Sequence, residues 1–175
     1  IVGATRNFYL YGTAHVFHGS ASGLSLTYNW SAAGNHANGS FGCSVSTAGD
    51  VNGDGYSDVI IGAASFYNVQ SNEGAAFVFH GSASGLSLTS NWSAEGNQIS
   101  AYFGVSVSSA GDVNGDGYSD VIVGSNLYNS GQADEGKAYV YFGSASGLSA
   151  TANWTAESNQ ANANFGISVS SVGDV

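Results

Sequence analysis

Two nonapeptides hold most of the side chains that could do chemistry. They are Asp50-Val51-Asn52-Gly53-Asp54-Gly55-Tyr56-Ser57-Asp58 and Asp112-Val113-Asn114-Gly115-Asp116-Gly117-Tyr118-Ser119-Asp120. In each, oxygen-bearing side chains stand at positions 1, 3, 5 and 9, and glycine at position 6 permits a sharp turn. The residue at position 7, Tyr56 or Tyr118, can offer its backbone carbonyl. A hard, all-oxygen donor set of this kind suits Ca²⁺, which takes oxygen ligands at about 2.3–2.6 Å. Mg²⁺ fits less well, because it prefers few protein ligands and several waters. Three carboxylates converging on one point repel one another unless a cation joins them. Asp-Gly and Asn-Gly also make ordinary turns, but two near-identical copies at fixed spacing argue for a shared ligand. The bidentate Glu that closes an EF-hand loop at position 12 is replaced by Ile61 and Val123. The expectation is therefore a structural site pinning one strand to the next.

Acidity is concentrated in these loops. Twelve acids face two bases, Arg6 and Lys137, for a net charge of −10, and seven of the eight Asp lie in the two loops or at Asp174, where a third loop would start. So few bases argue against nucleic acid and against an anionic membrane surface. No apolar run is long enough to span a bilayer, and no signal-peptide pattern opens the sequence. With 43% apolar and 13% aromatic residues, the chain can bury a core. One cysteine excludes an internal disulfide framework. Cys43 aligns with Val105 and Ile167 of the repeats below and reads as a small buried hydrophobe. The absence of Met suggests a sequence that is processed, cut from something longer or partly observed.

Other reactive side chains carry less. His18 and His80 share a repeat position with Phe142, and His15 with Phe77 and Tyr139, so neither position reads as a ligand or catalyst. His36 sits in a loop with no partner pattern. Glu73, Glu95, Glu135 and Glu157 recur on loops and read as solvated surface. No nucleophile has an adjacent base and orienting group, and no glycine-rich phosphate loop follows a strand-to-helix pattern. Catalysis is not expected. Asn29, Asn38, Asn91 and Asn153 open N-glycosylation sequons, which would place them on the surface of a secreted protein.

The elements that must position the loops are strands. Trp30, Trp92 and Trp154 recur every 62 residues, as do Phe41, Phe103 and Phe165 and also Asp50, Asp112 and Asp174. Within a module, Phe41, Cys43 and Val45 alternate with small polar residues, as Phe103, Val105 and Val107 do, which marks a half-buried strand. After the acidic loop comes an apolar run at Val59 to Ile61 or Val121 to Val123. An aromatic third strand follows at Ala76 to Phe79 or Ala138 to Phe142, then a fourth carrying the Trp at Thr89 to Ala94. Four strands per repeat, with no helical stripe, predict an all-β chain of antiparallel β-propeller blades. Ile1-Val2-Gly3 aligns with Ile60-Ile61-Gly62, so the chain is expected to begin and end mid-blade. Residues 1–40 then supply strands two to four of a split blade, 41–102 and 103–164 complete blades with calcium loops, and 165–175 the first strand of the split blade. Three blades are too few to close a ring. Either further blades complete it, or copies join head to tail into a six-bladed ring or a filament.

The Phe-Gly pairs at 41–42 and 103–104, the Asp-x-Asn-x-Asp-Gly-Tyr-x-Asp loop and Gly62-Ala63-Ala64 resemble the FG-GAP repeat. That repeat builds the seven-bladed propeller of integrin alpha chains and of many bacterial extracellular proteins. The resemblance implies Ca²⁺ held by Asp50, Asn52, Asp54, the Tyr56 carbonyl and Asp58, and by Asp112, Asn114, Asp116, the Tyr118 carbonyl and Asp120. It implies an extracellular or cell-surface role in adhesion or assembly; ligand recognition varies across the family, and glycans or an extracellular protein are the candidate partners. A lectin-like propeller, binding in clefts between blades near Tyr67 and Tyr128, is the alternative.

Overall fold

The computed structural model describes residues 1–5 and 11–171. The expectations on Arg6, Asp174 and Val175 lie outside the described residues. Among the described residues there is no helix, and no helix long and apolar enough to cross a membrane. Two four-stranded antiparallel sheets dominate. The first runs β6 (Phe41–Gly49), β7 (Asp58–Ala63), β8 (Ala75–Phe79) and β9 (Trp92–Glu95), each strand beside its sequence neighbour. The second repeats that order with β10 (Phe103–Gly111), β11 (Asp120–Ser125), β12 (Lys137–Tyr141) and β13 (Trp154–Glu157). Before them, β1 (Val2–Ala4), β2 (Thr13–Val16) and β5 (Trp30–Ala33) form a three-stranded sheet. Two short strands, β3 (Gly19–Ser20) and β4 (Gly23–Leu24), form a separate two-stranded pair. Residues 165–171 form no strand, although Phe165 bridges Gly136 in parallel as Phe103 bridges Gly74. Meanders of four short strands stacked in series are propeller blades.

Two strands depart from their predicted form. The alternation at Phe41 to Val45 is interrupted by a register shift between Phe41 and Ser44, with Gly42 at φ 83°. A bulge of this kind re-aims the strand, and neighbouring sheets then cover both of its faces. Cys43 is consequently half-buried, its thiol facing the Gly104 carbonyl at 3.6 Å, and burial pushes its pKa up. The fourth strand begins at Trp92, later than the expected Thr89. The Asn91 side-chain oxygen accepts from the His80 amide and the Ser87 hydroxyl, which holds the approach as a turn. Asn29 and Asn153 do the same in their own turns.

The core lies between sheets. Ile60, Val78, Phe103, Val107, Val121, Val123 and Tyr141 share one buried cluster, and Trp30, Phe41, Ile61, Phe66 and Phe79 another. Blades approach most closely at glycine: a Cβ on Gly62 would come within 2.0 Å of the Gly104 carbonyl oxygen, and one on Gly124 within 1.9 Å of Gly166. The Ser44 hydroxyl donates to Gly104 at 2.8 Å and Ser106 to Gly166 at 2.7 Å. Trp30 and Trp92 each reach into the next blade, donating their indole N–H to the carbonyls of Ser87 and Ser149 at 2.9 Å.

Candidate metal centre

The acidic nonapeptides are the β6–β7 and β10–β11 connections. Their sequence dictates their shape. Glycine at positions 4 and 6 (Gly53 at φ 73°, Gly55 at φ 89°) lets successive amides turn inward, a conformation other residues resist. The Asp50 carboxylate collects them, accepting from Gly53 at 2.8 Å and Asp54 at 3.1 Å on Oδ1 and from Gly55 at 2.8 Å on Oδ2. Asp112 repeats this with Gly115, Asp116 and Gly117. The Asp54 amide also reaches Asn52 Oδ1 at 3.1 Å, so oxygens of Asp50 and Asn52 converge on one nitrogen. The Asn52 side-chain amide donates to Asp54 at 3.0 Å, and Asn114 donates to Asp116 at 2.9 Å. Asp54 accepts from the Tyr56 amide at 2.9 Å, as Asp116 does from Tyr118 at 3.0 Å.

Position 9 behaves differently. Asp58 and Asp120 are fully buried. Asp58 accepts from the amides of Val51 at 2.9 Å and Gly81 at 2.8 Å, tying the loop to the turn that leads from β8 to β9. Asp120 holds Val113 and Gly143 in the same way. Burial pushes both carboxyls above the usual range, against the pull of those amides. The charge of Asp54 pushes Asp58 the same way, and the charges of Asp116 and Asp112 push Asp120. Among the described residues, no three His, Cys, Asp and Glu side chains form a group able to hold a metal ion alone. Asp50 and Asp54 are wrapped by loop amides while Asp58 is drawn beneath the loop, so the three carboxylates are not gathered into one cluster.

The residues nonetheless fit a hard cation. Every donor in the loop is oxygen, and each carboxylate oxygen that accepts one amide keeps a further lone pair. The one salt bridge among the described residues, Lys137 to Glu157 at 2.7 Å, lies elsewhere. The loops thus bring like charges together with no counter-charge from that pair. One neighbour that distinguishes them is His80, whose Nδ1 stands 3.3 Å from the Asn52 amide nitrogen where the second copy has Phe142.

Two of the four repeat glutamates overturn the surface reading. Glu73 and Glu135 are fully buried. Glu73 Oε1 accepts from the amides of Asn68, Val69 and Gln70 at 2.8, 3.1 and 3.3 Å, and Oε2 has no partner among the described residues. Glu135 accepts from Ser130, again with Oε2 unpartnered. The signal available in the sequence was the Glu-Gly pair at the same place in both modules, Glu73-Gly74 and Glu135-Gly136. His36 also has a place, packed edge-on against Phe66 and Tyr67.

Comparison with known proteins agrees with this architecture. The FG-GAP repeat family matches residues 41–79 and 103–141, each match running from the first strand of a blade through the acidic loop to the third. Integrin alpha pat-2 of Caenorhabditis briggsae is 40% identical over 99 residues, 54% of this chain and 8% of its own length. Integrin alpha-PS2 of Drosophila melanogaster is 37% identical over 105 residues, 57% of this chain and 7% of its own. Integrin alpha-6 of Homo sapiens is 33% identical over 109 residues, 62% of this chain and 9% of its own. The chain therefore spans less than a tenth of the length of these three relatives. Two such repeats, each on a four-stranded blade, support an FG-GAP, integrin-alpha-like domain built of propeller blades.

Proposed function

We propose that the chain is a calcium-braced part of an extracellular β-propeller that serves in adhesion or assembly. One observation carries this reading. Two loops, far apart in sequence and alike in nearly every hydrogen bond, present the same oxygen donors on the same side of adjacent blades. Asp50, Asn52, Asp54, the Tyr56 carbonyl and Asp58 would hold one Ca²⁺. Asp112, Asn114, Asp116, the Tyr118 carbonyl and Asp120 would hold the other. The ion would draw these carboxylates together, neutralise them and fasten the first strand of each blade to the second. Millimolar extracellular calcium fills even weak sites of this type. Excess chelator should lower the melting temperature by several degrees, and calcium should restore it. An unchanged melting curve overturns the reading. Glycans at Asn29, Asn38, Asn91 or Asn153 belong to the same extracellular setting, and the mass of the intact chain reads them directly.

The last blade supports assembly. Trp154 is 50% exposed, whereas its counterpart Trp30 is 7% exposed beneath the next blade. Ile167 is also exposed. A further blade would cover this face, from the rest of a longer propeller or from a second copy joined head to tail. Light scattering on the chain separates these by mass.

The second reading, a lectin-like propeller, has its own observation. A groove of about 620 Å³ between the last two blades is lined by Glu95, Tyr128, Lys137, Tyr139, Tyr141 and Thr151. The equivalent groove one blade earlier, about 390 Å³, has Ala33, Phe66, Phe77, Phe79 and Thr89 at matching positions. Tyrosine hydroxyls, a carboxylate and an ammonium group equip the second groove for a polar ligand. A glycan array with the chain loaded with calcium tests this.

A further inference from the structure

The two acidic loops touch each other, and the contact runs through the residues that would hold the metal. The Ser119 amide donates to the Asp50 carbonyl at 2.9 Å, and the Asp50 amide donates back to the Ser119 hydroxyl at 3.1 Å. Ser119 lies between Tyr118 and Asp120 of the second loop, and Asp50 opens the first. The Tyr118 ring covers Gly53, where an added Cβ would come within 2.6 Å of the ring. A second route joins them: Asp120 holds the Gly143 amide at 2.9 Å, and the next residue, Ser144, donates its amide to the Val51 carbonyl at 3.1 Å.

We infer that the two loops bind calcium cooperatively, with Ser119 as the residue that positions Asp50 for the ion. The inference rests on the calcium reading. An ion in the second loop fixes the Tyr118 carbonyl and the Asp120 carboxylate. That holds Ser119 against both backbone groups of Asp50, so the first loop has less freedom to lose when it binds. Ordering already accomplished by one ligand favours the second. The coupling must be reciprocal, each site raising the affinity of the other by one common factor. Ser57, at the matching position of the first loop, faces away, lining a groove with Ile1, Val16 and His18. It therefore serves as a control.

The test is calorimetric titration of the 175-residue chain with calcium chloride alone. Asp116→Ala disables the second loop and Asp54→Ala the first. Each should weaken the surviving site by the same factor, about five-fold or more. Ser119→Ala removes the hydroxyl that accepts from the Asp50 amide and should weaken the cooperativity of the isotherm while leaving two bound ions. Ser57→Ala should leave cooperativity intact. Should either Asp variant fail to fold, the Ser119→Ala and Ser57→Ala isotherms decide alone. Two ions bound with a surviving site unaffected by loss of the other overturns the coupling, and cooperativity undiminished by Ser119→Ala overturns the part given to Ser119; both leave the calcium reading standing. No calcium heat from the unmodified chain overturns the calcium reading instead, and the coupling with it.

Discussion

Glu73 shows what one residue does inside a loop that carries no ladder hydrogen bonds of its own. Its Oε1 gathers three consecutive amides, from Asn68 to Gln70, that would otherwise lack partners. Each such hydrogen bond contributes about 0.5–1.5 kcal/mol. Glu73→Ala should therefore destabilise the chain by about 2 kcal/mol in urea unfolding. Amide exchange should accelerate at residues 68–70 and not in β6 or β7. Glu73→Gln keeps an acceptor oxygen and should lose less. A Glu73→Ala chain within about 0.5 kcal/mol of the unmodified one would show that water replaces the carboxylate there. The sequence hid this role. A glutamate between Asn72 and Gly74 reads as solvated, and its burial arises from closure by a distant segment: Tyr102 and Phe103 donate their amides to the carbonyls of Asn72 and Glu73. The sharp turn of the acidic loops, by contrast, is legible, because Asp50 collects amides only three to five positions away. The inward turn of Asp58 was not legible, because its partner Gly81 is 23 residues distant.

At the scale of elements, blade-to-blade packing sets where a tryptophan matters. Trp92, partly buried, packs its ring edge-on against Tyr141 and donates to Ser149 in the following blade. Trp30 does the same with Phe79 and Ser87. Trp154 occupies the same strand position but is half-exposed in β13. Replacing a buried aromatic ring by a small side chain costs about 3–5 kcal/mol. Trp30→Ala should cost that order, the partly buried Trp92→Ala about 2–3 kcal/mol, and Trp154→Ala about 1 kcal/mol or less. Equal losses at all three positions, measured by denaturant unfolding, would mean that the last blade is covered in solution. The four-strand order was readable because each strand pairs with its sequence neighbour. The bulge at Gly42 was not, since it answers to the approach of Thr13, whose carbonyl would lie 2.5 Å from an added Cβ. The period-2 pattern of the first strand consequently fails where two blades meet.

Across the whole molecule, the interface between the last two blades ties stability to alkaline pH. Tyr141 is buried in the core cluster, and burial pushes its phenol up from 10.0 to about 12. Tyr139 is pushed up further, first by burial and then by the charges of Tyr128, Tyr141 and Glu157. Both fold with the phenol neutral. Their folded values exceed the unfolded one, so their contribution is complete below pH 10 and is lost as pH climbs from there through the folded values. A shift of two units is worth about 3 kcal/mol at most, a sizeable part of the 5–15 kcal/mol or so that holds a typical domain together. Melting temperature should therefore stay level from neutral pH to about 9 and fall steeply above 10, the unperturbed tyrosine value. Phenolate absorbance from the buried rings should rise together with the loss of β-sheet circular dichroism, after the exposed tyrosines have titrated. Tyr141→Phe cannot ionise and should flatten the decline, whereas Tyr67→Phe, on a ring that is 49% exposed, should not. A native spectrum retained while every tyrosine titrates near pH 10 would mean that water reaches Tyr139 and Tyr141 between the blades. The core would then be open along the groove that Lys137 and Glu95 share.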